Sequence, residues 1–329
     1  MLALRTLPDP ESLAESVSGQ NRAAVARALN LLDDKRPEAR RFAARLLATL
    51  PKDRLYGAGH LIGLTGPPGV GKSSLTAALV RIWRKRGLRV GILAVDPSSP
   101  ISGGALLGDR LRMLSGDLDD KVFIRSLACR GEFGGLSAEV WPMSLVMLAA
   151  FDIVLVETVG VGQKEIDVSK LTDTTCFVAQ PASGDSIQFL KAGIMEIPHV
   201  LVVNKADVGL AARKTLSELK ATLRPPSAPE DWQVPALSAS ATTGTGIETL
   251  ADSIEAHRVW LTAKGKLAAI RIRFQAEWII KRLREEFGRF GIESLGGESR
   301  LLGDLVELQG SPFEQYESLR NRFLTNRGQ

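Results

Sequence analysis

The stretch GPPGVGKSS (Gly66, Pro67, Pro68, Gly69, Val70, Gly71, Lys72, Ser73, Ser74) has the spacing G-x-x-x-x-G-K-[ST]. That pattern suits one chemistry above others, the holding of a nucleotide's phosphates. It follows the apolar run HLIGLT and opens the helical stretch SSLTAALVRIW, so strand, loop and helix N-terminus come in the required order. Successive N–H groups of such a loop converge on phosphate oxygens, and the helix end adds partial positive charge. Lys72 brings a point charge to the β- and γ-phosphates, and Ser73 offers a hydroxyl to Mg2+. A glycine-rich turn that binds nothing is the plainer alternative; the strand–loop–helix setting argues against it.

The base is read about 130 residues further on, where NKAD (204–207) ends the apolar run HVLVVNK. Asp207 presents two acceptor oxygens to the adjacent N1–H and 2-amino donors of guanine, whereas adenine would leave an acceptor unpaired. Asn204 can bond N7 and tie the loop, and the Lys205 stem can lie over the base. The segment SAS after the next short run (Ser238, Ala239, Ser240) can give a backbone N–H to guanine O6, with Ser238 and Ala239 as the expected contacts.

Two carboxylates stand where a metal is needed. Asp96 in LAVDPSS lies at the carboxyl end of a strand, where ligands bind in open α/β sheets. Glu157 in FDIVLVETVGVGQ occupies the place where GTPases more often carry the Asp of D-x-x-G, and it can hold Mg2+ through a water. Gly160, three residues on, lets the loop sense the γ-phosphate. A structural cap is the alternative for both acids. Between them SGGALLGDRLRM carries Asp109, Arg110 and Arg112. A mobile loop with a carboxylate for the attacking water and an Arg for the γ-phosphate fits phosphoryl transfer. A helix start with solvated arginines fits the same residues equally well.

These residues need a sheet to position them. From about 60 to 260, seven apolar runs (HLIGLTG, LRVGILAVD, KVFIRS, FDIVLVE, TTCFVAQ, HVLVVNK, VPALSAS) alternate with helical stretches, which predicts an α/β fold with a mostly parallel sheet covered on both faces. Residues 1–55 read as helices, the stretch PEARRFAARLLATL being entered through Pro37. From Lys264 onward the pattern is helical again. The expected organisation is a helical extension over 1–58, a P-loop GTPase domain over 59–262 and a helical region over 263–329. In FQAEWIIKRLREEF, the spacing of Trp278, Ile279, Leu283 and Phe287 leaves a dimer interface and an intrachain core both open.

Composition narrows the class. The 329 residues are 44% hydrophobic and 24% charged with a net charge of +5, enough apolar material for a full core. At 5% aromatic content, stacking platforms for single-stranded nucleic acid are poorly supplied, so no nucleic-acid partner is expected. Cys129 and Cys176 make no disulfide framework, and His60, His199 and His257 show no metal-ligand spacing. The N-terminus lacks a signal-like apolar stretch, and no run approaches the roughly 20 apolar residues of a membrane span. The expectation is a cytoplasmic protein with no membrane partner.

Taken in order, GPPGVGKSS, LAVDPSSPISGGALLGDRLRM, ETVGVGQ and NKAD, with helices at both ends, resemble the MeaB/ArgK-type GTPases, the G-protein chaperones of adenosylcobalamin-dependent acyl-CoA mutases such as methylmalonyl-CoA mutase. The resemblance implies a P-loop GTPase domain between a helical N-terminal arm and a C-terminal dimerisation region, in a homodimer. It implies GTP/GDP and Mg2+ as ligands, slow hydrolysis alone and activation by the mutase, with GTP gating adenosylcobalamin loading and removal of inactivated cofactor. By motif position, Lys72, Asp109 and Arg112 would be catalytic, while Ser73, Asp96, Asp109 and Glu157 would serve the metal. Gly160 and Gln163 would belong to a switch, and a third switch would fall on PASGDSIQFLKAG (181–193). There Asp185, Gln188, Lys191 and Gly193 keep the family's pattern, while Ser186 replaces an acid and Phe189 a small residue. GEFGGLS (131–137) is a second departure. These changes leave GTP chemistry alone and bear on the partner, which could be a related mutase such as one isomerising 2-hydroxyisobutyryl-CoA or isobutyryl-CoA. A nickel-type metallochaperone GTPase and a P-loop kinase are the alternatives; the first wants a Cys/His cluster, the second ATP.

Overall fold

The computed structural model describes residues 9–97, 119–129, 138–158, 168–181, 198–223, 225–228, 230–308 and 310–326, without the side chains of residues 96, 97, 128 and 129. Each of the seven apolar runs is a strand: β1 His60–Thr65, β2 Val90–Pro97, β3 Val122–Cys129, β4 Ile153–Thr158, β5 Thr174–Ala179, β6 Val200–Val203 and β7 Ala236–Ser238. They form one sheet in the order β3-β2-β4-β1-β5-β6-β7, with every pair parallel. β1, β4, β5 and β6 are buried along their whole length, as a sheet covered on both faces demands. Alternation along β5 shows the two faces. Cys176 and Val178 join a core with Ile62, Leu64 and Leu79, while Phe177 and Ala179 join Leu201, Val203 and Leu219 on the other.

The described helices are α1 Pro10–Ser18, α2 Arg22–Asp33, α3 Pro37–Thr49, α4 Lys52–Tyr56, α5 Lys72–Lys85, α6 Val140–Ala150, α7 Leu210–Thr222, α8 Ile247–Ala263, α9 Lys266–Ser294, α10 Glu298–Glu307 and α11 Pro312–Asn326. Helix α5 lays Leu75, Leu79 and Trp83 on one stripe, each fully buried, and so fastens the phosphate loop to the sheet core. α9 breaks at Gly288, where φ is 67° and a side chain would be strained.

The chain divides into two compact units. The sheet unit comprises Gly59–Ser137 and Phe151–Leu267. The helical unit comprises Met1–Ala58, Ala138–Ala150 and Ala268–Gln329, so α6 leaves the sheet sequence to join the terminal helices. Within that unit Trp278, Ile279 and Leu283 are buried at 7%, 0% and 0% exposure. The Trp278 ring meets Phe313 edge-on at 5.5 Å, its indole N–H donates to Ala138 O, and Phe287 packs on Phe323 at 4.3 Å. Of the two readings, the intrachain core describes Trp278, Ile279 and Leu283, which neighbours in the same chain cover, while Phe287 is half-buried.

The histidines, far apart in sequence, meet at the amino ends of the strands. His60 Nε2 and His257 Nδ1 both bond Thr174 Oγ1, at 2.7 and 2.8 Å, and His199 stacks on His257 at 4.2 Å between ring centres. Among the described residues no group of three or more His, Cys, Asp or Glu is placed to hold a metal ion. Nor is any described helix long and apolar enough to cross a membrane.

Candidate nucleotide site

Strand β1 runs straight into the phosphate loop at Gly66, whose φ of 145° suits glycine. A Cβ there would lie 2.2 Å from Val178 O on the neighbouring strand, so the loop can leave the sheet this close to β5 only without a side chain. Gly71, at φ 89°, is the N-cap of α5 and makes no side-chain cap bond. Glycine there offers the helix's first turn no side-chain cap, and an anion suits the N–H groups of such a helix end. Lys72 is 7% exposed, and its ammonium donates to Gly66 O at 2.7 Å and Pro67 O at 2.9 Å. Val70 is buried beneath the loop, while Pro68, Gly69 and Ser74 are exposed. An uncapped helix end beside a folded-back ammonium fits a phosphate chain.

The metal side is built between α5 and β4. Glu157, 1% exposed, pairs across the sheet with Leu64 of β1 and Ala94 of β2. Ser73 Oγ donates to its Oε1 at 2.6 Å and Thr76 Oγ1 to its Oε2 at 2.9 Å. A serine hydroxyl whose proton is turned to a carboxylate has its lone pairs free for a hard cation, so this donor set fits Mg2+. The backbone puts Asp96 near the end of β2, opposite Ala128 of β3, at the same edge of the sheet as Glu157. The Asp96 side chain, Asp109, Arg112, Gly160, Gln163, Asp185, Gln188, Phe189 and Lys191 lie outside the described residues.

On the base side, Asn204 follows β6 and is 2% exposed. Its amide nitrogen donates to Val70 O at 2.9 Å and Gly71 O at 3.4 Å, and its oxygen accepts from Ala241 N at 3.2 Å. It therefore ties the phosphate loop to the base loop. A Cβ on Gly71 would sit 2.6 Å from that nitrogen, so the tie itself needs glycine. Lys205 adopts φ 58° and donates to Gly69 O at 2.8 Å and Gln180 Oε1 at 3.1 Å. Asp207 is exposed, and Ser240 Oγ donates to its Oδ1 at 2.5 Å. That hydroxyl is the main reason the Asp207 carboxyl is held below the usual Asp range.

The expected O6 donor has a second candidate. Ser238 is still in β7, paired with Val203, and the Ala239 N–H is engaged by Val203 O at 2.9 Å. The pair beyond the strand's end is Ser240-Ala241, two residues later, and its serine is the one that meets Asp207. The sequence held the signal in duplicate, as SA at 238 and again at 240. The three-residue length of β7 puts the first pair at the strand's end and the second beyond it.

The chain matches the family described as methylmalonyl Co-A mutase-associated GTPase MeaB over residues 25–290. It is 35% identical over 289 residues to the GTPase ArgK of Escherichia coli, covering 84% of this chain and 85% of that protein. It is 34% identical over 281 residues to the mitochondrial methylmalonic aciduria type A homolog of Mus musculus, covering 82% of this chain and 68% of that protein. A crystal structure of a LAO/AO transport system kinase superimposes with a TM-score of 0.68 at 25% identity, covering 98% of this chain and 100% of the other. With the phosphate loop, the guanine-type NKAD turn and a parallel sheet carrying both, the chain belongs to the MeaB family of GTPases and hydrolyses GTP.

Proposed function

We propose that this GTPase is a G-protein chaperone of an adenosylcobalamin-dependent acyl-CoA mutase, gating cofactor loading and protecting or reactivating the enzyme. The observation that carries the reading is the reach of the family match, which runs from α2 through the GTPase core and into α9. That family is described by its association with methylmalonyl-CoA mutase. In this reading the loop N–H groups and Lys72 hold the phosphates, Asp207 reads the guanine edge, and the Ala241 N–H, here on Asn204 Oδ1, would turn to O6 in place of Ala239. A bound Mg2+ supplies charge neutralisation on the β- and γ-phosphates; Ser73 would hold it, backed by Glu157 and Asp96. Asp109 would orient the attacking water and Arg112 reach the γ-phosphate. Gly160, Gln163, Asp185, Gln188, Phe189 and Lys191 would face the partner, and the C-terminal helices would pair two chains.

The test is direct. The purified protein is mixed with each adenosylcobalamin-dependent mutase of its own genome, and GTP turnover is measured with and without it. One mutase should raise the rate and be retained in the presence of a GTP analogue. Lys191→Ala should lower the stimulated rate and leave the basal rate near wild type. If no such mutase alters the rate, the chaperone reading fails while the GTPase assignment stands.

A further inference from the structure

Ser73 and Thr76 stand one turn apart on the same face of α5, and each gives its hydroxyl to a different oxygen of Glu157, at 2.6 and 2.9 Å. Thr76 is fully buried and Glu157 nearly so, at 0% and 1% exposure. We propose that Thr76 is a positioning residue for the metal side of the site: by fixing Oε2 it holds Oε1 on the Ser73 hydroxyl, and so aims that hydroxyl's lone pairs away from β4. The proposal rests on the magnesium reading of Ser73 given above.

The argument is geometric. Glutamate has one methylene more than the aspartate usual at the end of such a strand, hence one more torsion to fix. One hydrogen bond sets the distance from Glu157 to Ser73 but leaves the carboxylate plane free to turn about its terminal bond, whose torsional profile is broad. A second donor on the same helix, bonded to the other oxygen, sets the plane. Hydrogen bonds to a charged acceptor are the stronger kind, and a buried carboxylate oxygen that loses its donor re-orients to find another. A re-oriented Glu157 would no longer hold the Ser73 proton in the same place. Thr76 itself has no access to nucleotide, being buried within the helix.

The experiment uses the full-length protein and a fluorescent GDP analogue. Its release is followed across a magnesium titration and in EDTA, for wild type, Thr76→Val, Thr76→Ala and Thr76→Ser. Valine keeps the shape without the hydroxyl; serine keeps the hydroxyl. Valine and alanine should both raise the magnesium needed for half-maximal slowing of release about five- to tenfold, the equivalent of one lost hydrogen bond. Release in EDTA should be unchanged, and serine should behave as wild type. A wild-type magnesium response in a folded Thr76→Val or Thr76→Ala protein overturns the proposal, and so does faster release in EDTA, which would mean a merely structural role. Ser73→Ala is measured alongside. If it shifts the magnesium response and the Thr76 variants do not, only this proposal falls. If wild type itself ignores magnesium, the metal reading falls and takes the proposal with it.

Discussion

The Ser240 hydroxyl donates to Asp207 Oδ1 and accepts the Thr243 N–H at 3.2 Å, so it is fixed at both ends while the carboxylate it holds is open to solvent. Held below the usual Asp range, Asp207 stays ionised at neutral pH and keeps acceptor capacity for the two donors of a guanine edge. Asp207→Asn should move preference from GTP toward xanthosine triphosphate, because an amide can donate to the 2-oxo group. Ser240→Ala should weaken GTP binding by about five- to tenfold through loss of one fixed bond, whereas Ser238→Ala should not. Competitive binding of the two triphosphates checks both, and unchanged GTP affinity in Asp207→Asn would mean that this carboxylate does not read the base. Lys72, Ser73, Asn204 and Asp207 are legible as candidates because each motif is spaced within a few residues. Ser240 and Thr76 are not legible from spacing, because each acts on a residue tens of positions away that only the fold brings near.

Elements marked by a period were legible, and those without one were not. Most of the seven apolar runs stand apart in the sequence because polar or glycine-bearing stretches separate them. Helix α6 carries no such mark, since all 11 of its residues are buried and no polar face sets a rhythm. α9 was legible as a helix, but not what its apolar side covers. Its Arg271 shows what the helical unit demands of it. The guanidinium is fully buried and donates to Leu55 O at 2.6 Å and Ala58 O at 3.2 Å, carbonyls at and just beyond the end of α4. Removing it strands those acceptors and leaves a void. Arg271→Ala should cost about 3 kcal/mol of stability, seen as a lower midpoint in thermal unfolding, with the GDP affinity of the folded protein unchanged. Lysine in its place should recover only part, because both bonds come from Nη1 at the tip of the guanidinium, one bond further out than a lysine ammonium reaches. A melting curve identical to wild type would mean that α4 closes by other means.

At the scale of the molecule, the sheet gathers two sets of polar residues at opposite ends of its strands. Nucleotide residues collect at the carboxyl ends, as the order of strands around β1 dictates. The histidines collect at the amino ends, and nothing in their spacing foretold it, because His60 starts β1, His199 just precedes β6 and His257 lies in α8. Burial pushes His257 down to about 2, aided by neighbouring His199 and His60. Burial likewise pushes His199 down to about 4, against the pull of Asp173. Both are therefore neutral in the folded protein at pH values where the unfolded chain, near 6.5, already binds protons. In that window the unfolded state holds more protons, so stability is full above about pH 6.5 and falls as the pH drops toward the folded values. Each site can contribute up to about 1.4 kcal/mol per pH unit, less for His199, which is only half-buried. The melting temperature should fall steeply between about pH 6.5 and pH 5. His257→Asn, which keeps a polar atom facing Thr174 but cannot take up a proton in this range, should flatten that fall even if it lowers the neutral-pH melting point. An equally steep fall in this variant would place the acid sensitivity elsewhere, in carboxylates that lose their partners on protonation.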